Sequence, residues 1–150
     1  VNCKNAKAYT VDISPDATKV AVDNAKNNGV GDRVTFLNMD ILNEFPDFKV
    51  DCIVSNPPYI EDEVIPTLMS DVKDYEPLIA LRGGMDGLVF YRRISEKGFG
   101  ILNSGGMIAF EVGHNQSESV ADILEKDGYI NVEITNDLAG IGRVVSALKR

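Results

Sequence analysis

The chain has 150 residues, 44% of them hydrophobic, which is enough for one domain with a hydrophobic core and too few for two comfortable ones. A formal net charge of -8 sets up a field that repels phosphate backbones. The densest basic pairs, Arg92-Arg93 and Lys149-Arg150, are too short to make a nucleic-acid patch, so no direct nucleic-acid binding is expected. There is no apolar stretch of roughly 18 residues and no signal-like amino terminus, so the expectation is a cytoplasmic protein with no membrane partner.

Ala6 to Ile13 is β-rich and ends at an acidic residue, after which Ser14-Pro15 supplies an N-cap and a first-turn proline. Ala17, Val20, Ala21 and Ala25 recur at helical spacing and Asn28-Gly29 gives a stop, so the spacing predicts a helix from Pro15 to Asn28. Arg33 to Asn38 reads as a short strand ending near Asp40. Val50 to Ser55 is nearly continuous in apolar, β-branched residues, as expected for a central strand of a parallel sheet covered on both faces. Cys52, inside that run, reads as a small buried thiol, and Cys3 and Cys52 have no disulfide or metal-ligand spacing.

Glu61 to Met69 reads as a short helix, and Asp71 to Asp86 as a loop-rich stretch punctuated by Pro77 and Gly83-Gly84. A helix over Leu88 to Leu102, a strand over Met107 to Val112, a helix over Ser117 to Lys126 and strands over Ile130 to Thr135 and Val144 to Leu148 complete the pattern. Asn136 to Arg143 has no helical pattern and suits a link between antiparallel neighbours. Strands alternating with helices imply an open α/β, Rossmann-like sheet with helices on both faces and a carboxyl-terminal antiparallel pair. Such sheets bind ligands outside the carboxyl ends of their strands.

Three features fall at predicted strand ends: Asp12, Asp40 with Ile41, and Asn56-Pro57-Pro58-Tyr59. Asp12 suits either the two ribose hydroxyls of a nucleoside or the cap of the following helix. Asp40 suits either an adenine amino group, with Ile41 against the ring, or a plain turn. In Asn56-Pro57-Pro58-Tyr59 each proline drives the residue before it out of the helical region, so the chain leaves the strand stiffly extended. The Asn56 side-chain carbonyl and the Pro57 backbone carbonyl can then accept the two hydrogens of a planar NH2 group, and Tyr59 can pack on its face. That is the pattern expected for S-adenosylmethionine-dependent methylation of an amide or amine nitrogen. His114, the sole histidine, reads as a surface turn residue, and no nucleophile triad, phosphate-binding loop or zinc site occurs.

With these residues in view, the chain resembles the release-factor glutamine N5-methyltransferases. The likeness runs through Ala6 to Ala17, Val50 to Ile60, Asp74-Tyr75-Glu76-Pro77, Leu81 to Arg92, Gly105 to Gln116 and Asp137 to Val145. The resemblance implies methyl transfer from S-adenosylmethionine to the glutamine of a Gly-Gly-Gln loop in peptide-chain release factors. It implies further that Asp12, Asp40, Ile41 and Asn56 contact the cofactor and that Asn56, Pro57, Pro58 and Tyr59 hold the substrate, with Asn56, Pro57 and Tyr59 catalytic.

The family also has a first central strand and a glycine-rich cofactor loop upstream of the segment matched here, so the sequence reads as an amino-terminally truncated catalytic domain. Unpaired strand edges are then expected, so that this chain alone either pairs with another chain, as in self-association, or is poorly folded in that region, binds S-adenosylmethionine weakly or not at all and has little activity. Two other readings stand beside this one: an amino-methyltransferase for adenine or guanine in nucleic acid, which would use the same tetrapeptide, and a non-catalytic binding domain.

Overall fold

The computed structural model describes residues 3–69 and 76–150. Asp74 and Tyr75, and the start of the predicted Asp71 to Asp86 loop, lie outside them. The chain divides into two compact units, Val1–Phe45 and Pro46–Arg150.

In the first unit, strand β1 (Ala8–Asp12) leads into helix α1 (Pro15–Asn27). Ser14 caps α1 by accepting a hydrogen bond from the Ala17 amide at 3.2 Å, and Pro15 opens the first turn. A single 3-10 turn (Gly31–Arg33) takes the place of the first residue of the predicted strand, so β2 spans Val34–Asn38. β1 and β2 pair in parallel, with Asp12 opposite Asn38. Both carboxyl ends therefore lie at the same end of this two-stranded sheet.

The second unit holds a four-stranded sheet in the order β3-β4-β6-β5, made of β3 (Val50–Ser55), β4 (Leu102–Glu111), β5 (Ile130–Asn136) and β6 (Gly142–Leu148). β3 and β4 are parallel, whereas β6 runs antiparallel to both β4 and β5, as the short link Asn136 to Arg143 implies. Helix α2 is a four-residue piece (Leu78–Leu81), and α3 (Val89–Ile101) and α4 (Ser117–Lys126) are longer. Ile108, Phe110, Val145 and Ala147, alternate residues of β4 and β6, are buried with Tyr91 and Ile94 of α3 and Val120 and Leu124 of α4. A Cβ at Gly98 of α3 would lie 2.9 Å from the end of the Ile53 side chain and 3.3 Å from the Tyr129 hydroxyl, so a glycine there lets the helix approach the sheet closely.

Several expectations need correction. β3 is an edge strand of its sheet, not a central one, and pairs only with β4 among the described residues. Cys52 and Val54, on one face of β3, are exposed, Val54 to 75%, so that face is not covered and the thiol is not buried. An apolar run records that a strand is built for cover; it does not record which neighbour supplies the cover. The predicted helix Glu61 to Met69 is reduced to a 3-10 turn (Ile65–Thr67), with Pro66 inside it and no amide to extend the ladder. β4 begins five residues earlier than the pattern suggests, through an irregular stretch in which Gly105 has φ +76° and pairs with Lys149.

Candidate active site

The tetrapeptide Asn56-Pro57-Pro58-Tyr59 follows directly on β3, at the strand's carboxyl end. Ser55 lies opposite Phe110 of the parallel β4, so the turn leaves the sheet beside the end of that strand. Pro57 is buried, Pro58 and Tyr59 are partly covered, and Asn56 is exposed. A cavity of about 140 Å³ opens here, lined by Asn56, Pro57, Tyr59, Ile60, Ala80 and Leu81. Among the described residues, neither the Asn56 side chain nor the Pro57 carbonyl takes a hydrogen bond. Two residues that line this cavity thus carry acceptors with no partner among the described residues, chemistry that can take both hydrogens of an NH2.

The exit of this turn is fixed by the segment around α2. Ile60 donates its amide to Leu81 at 3.0 Å and accepts from the Gly83 amide at 2.8 Å, and Arg82 pairs with Asp62 at 3.0 Å. The backbone of Gly83 crosses Tyr59 so closely that a Cβ would lie 2.7 Å from the Tyr59 Cα. Gly87, at φ +69°, approaches the Tyr59 carbonyl in the same way. Asp86 holds this glycine turn to α3 through a two-pronged ion pair with Arg92, both bonds at 2.9 Å, and that pairing keeps the Asp86 carboxyl below its ordinary pKa.

Tyr91 of α3 donates its hydroxyl to the Glu111 carbonyl at 2.9 Å and packs edge-on against Phe110. Burial, with Tyr59 and Glu111 nearby, pushes the Tyr91 pKa well above its usual value. The hydroxyl thus ties α3 to the end of β4.

In the first unit, Asp12 ends β1 and accepts from the Ser14 amide with Oδ1 at 2.8 Å, while its Oδ2 has no partner among the described residues. It does the work of a turn carboxylate and keeps a free oxygen. Asp40 uses both oxygens within its own turn, on the Leu42 amide and the Asn43 side chain. Ile41 follows it, partly covered.

His114 is exposed in the turn after β4, as expected. Among the described residues no group of His, Cys, Asp and Glu is placed to hold a metal. A larger groove of about 550 Å³ between α3 and α4, with Arg92, Glu96, Asp122 and Lys126 on its walls, contains none of the candidate residues. Sequence reasoning assigned no role to Gln116, Gly83 or Gly87, all of which touch Tyr59. The glycine cluster was a visible signal of tight turns, but nothing local said what the turns enclose.

Residues 1–71 match the family model of the methyltransferase small domain. The chain is 45% identical over 148 residues to the release factor glutamine methyltransferase of Clostridium acetobutylicum, an alignment covering 97% of this chain and 52% of that protein. Over nearly its whole length the chain is similar to proteins named release factor glutamine methyltransferase. It spans about half the length of the curated relatives it matches. Among solved structures, a methyltransferase from Pyrococcus furiosus superposes with a TM-score of 0.69 at 18% identity, over 99% of this chain and 65% of that one. The N-methyltransferase NodS from Bradyrhizobium japonicum WM9, solved with S-adenosyl-L-homocysteine, gives 0.57 at 14% identity, over 95% and 66%. At these identities the structural likeness establishes a methyltransferase fold. No helix of the described residues is long and apolar enough to cross a membrane.

Proposed function

We propose that this chain forms the substrate-holding part of an S-adenosylmethionine-dependent enzyme that methylates the side-chain amide nitrogen of a glutamine, in the Gly-Gly-Gln loop of peptide-chain release factors. The observation that carries the reading is the pair of unpartnered acceptors, the Asn56 amide and the Pro57 carbonyl, on residues that line the small cavity. The name of the 45% identical relative supplies the substrate.

S-adenosylmethionine supplies an electrophilic methyl group on a sulfonium. Asp12, exposed and with one carboxylate oxygen unpartnered among the described residues, fits the ribose-holding role; Asp40 and Ile41 are assigned to the adenine, and Asn56 to both cofactor and substrate. An amide nitrogen is a poor nucleophile because its lone pair is delocalised. Asn56 Oδ1 and the Pro57 oxygen each accept one N–H, which aims the nitrogen and stabilises the positive charge it gains as the new bond forms. Tyr59 covers the flat face of the amide. The proton lost from nitrogen then passes to solvent.

The test is to incubate the full-length protein with isotopically labelled cofactor and either a release factor or nucleic acid. Label on the loop glutamine, located by mass spectrometry, is expected. Label on exocyclic amino groups of adenine or guanine would establish the nucleic-acid reading, against which the net charge of -8 argues. Binding of partners without label in either arm would establish a non-catalytic domain.

A further inference from the structure

Gln116 is one of two buried polar side chains of the described residues, 7% exposed, and it sits at the start of α4. Its Nε2 donates to the Tyr59 carbonyl at 3.0 Å and to the Gly87 carbonyl at 3.4 Å, while its Oε1 accepts from the Gly113 amide at 3.1 Å. One side chain thereby joins three segments: the substrate-holding turn, the glycine turn before α3, and the loop leaving β4. Its own backbone is fixed, since its amide donates to Gly113 and its carbonyl accepts from Val120.

The surrounding glycines make room for this amide. A Cβ at Gly113 would lie 2.7 Å from Oε1 and 3.3 Å from the Tyr59 ring, and one at Gly87 would collide with Nε2. A primary amide meets the chemical demand here, with two donors for two carbonyls and one acceptor for one N–H. Glutamate would set a carboxylate against both carbonyls, and leucine would fill the space while leaving all three groups unpaired.

We infer that Gln116 is a positioning residue for Asn56-Pro57-Pro58-Tyr59, holding the Tyr59 end of the turn while β3 holds the Asn56 end, so that the two acceptors keep a fixed separation and aim. The inference rests on the amide-methylation reading above. A turn fixed at both ends loses little freedom when substrate arrives, whereas one released at Tyr59 must be reordered at each turnover.

The experiment compares wild type, Q116E and Q116L in the full-length protein. Expected are kcat values about 10- to 100-fold lower, because sub-ångström to ångström misplacement carries that cost, with KM for S-adenosylmethionine nearly unchanged. Hydrogen exchange supplies a second readout. The Gly113 amide should exchange about tenfold faster in Q116L, while ladder amides of Ile108 to Phe110 keep their protection. Lowered thermal stability with unchanged kcat per folded molecule, or unchanged exchange at Gly113, would overturn the positioning role. If wild type methylates no glutamine, the functional reading fails, and exchange at Gly113 and along Tyr59 to Ile60 still decides whether Gln116 fixes the turn.

Discussion

The hydroxyl of Tyr91 donates to the backbone carbonyl of Glu111 at 2.9 Å, and through it α3 grips the last residue of β4. Tyr91→Phe keeps the ring against Phe110 but leaves that carbonyl without its donor, at a cost of about 1 kcal/mol. Urea denaturation of the two proteins measures the difference.

The same hydroxyl makes stability depend on pH in the alkaline range. Burial raises the pKa of Tyr91 in the folded state, and likewise that of Tyr129, whose hydroxyl donates to the Ser95 carbonyl. Below about pH 10 the unfolded chain also keeps these protons, so their contribution is fully present; above it only the unfolded state ionises, and stability falls as pH rises. Denaturation followed across that range should show a shallower alkaline loss in Tyr91→Phe than in wild type.

Asp86 works in the opposite direction. Its hydrogen-bonded pairing with Arg92 lowers its folded-state pKa, so the contribution is present above the ordinary carboxylate value of about 4 and is lost as pH falls through the lowered one. The side chains are about half exposed, 49% and 52%, and solvent screening limits the coupling to no more than about 1 kcal/mol. A double-mutant cycle with Asp86→Asn and Arg92→Met, measured near neutral pH and again in acid, should find the coupling only in the first condition.

Gly87→Ala places a methyl group against the Tyr59 carbonyl and the Gln116 amide, at a backbone angle of φ +69° that alanine disfavours. A loss of about 1–3 kcal/mol is expected on thermal denaturation, together with reduced methyl transfer. Full activity in this variant would mean that the glycine turn does not constrain the tetrapeptide.

Asn56→Ala separates chemistry from stability. The side chain is exposed and makes no hydrogen bond among the described residues, so stability should change by no more than about 0.5 kcal/mol. Methyl transfer by the full-length protein should fall roughly 10²- to 10³-fold, as when one preorganised polar group is removed from a reacting centre. Activity within a few-fold of wild type would remove Asn56 from the mechanism.

Sequence alone determined the features set by a few adjacent residues. The Ser14-Pro15 cap placed the start of α1, the Asn28-Gly29 stop its end, and two consecutive prolines turned the chain rigidly out of β3. These follow from backbone sterics and local hydrogen bonds, which are written within a turn or two of sequence. Tertiary structure decided what lies beside those features. It inserted β6 between β4 and β5, and put β3 at a sheet edge with Cys52 exposed. It also brought Gln116 to the carbonyl of Tyr59, 57 residues away. A strand's pattern specifies which faces are apolar and a glutamine's chemistry specifies two donors and an acceptor. The partner each finds depends on how distant segments pack, and for Asn56-Pro57-Pro58-Tyr59 that packing fixes the far end of a turn whose near end the sequence had already made stiff.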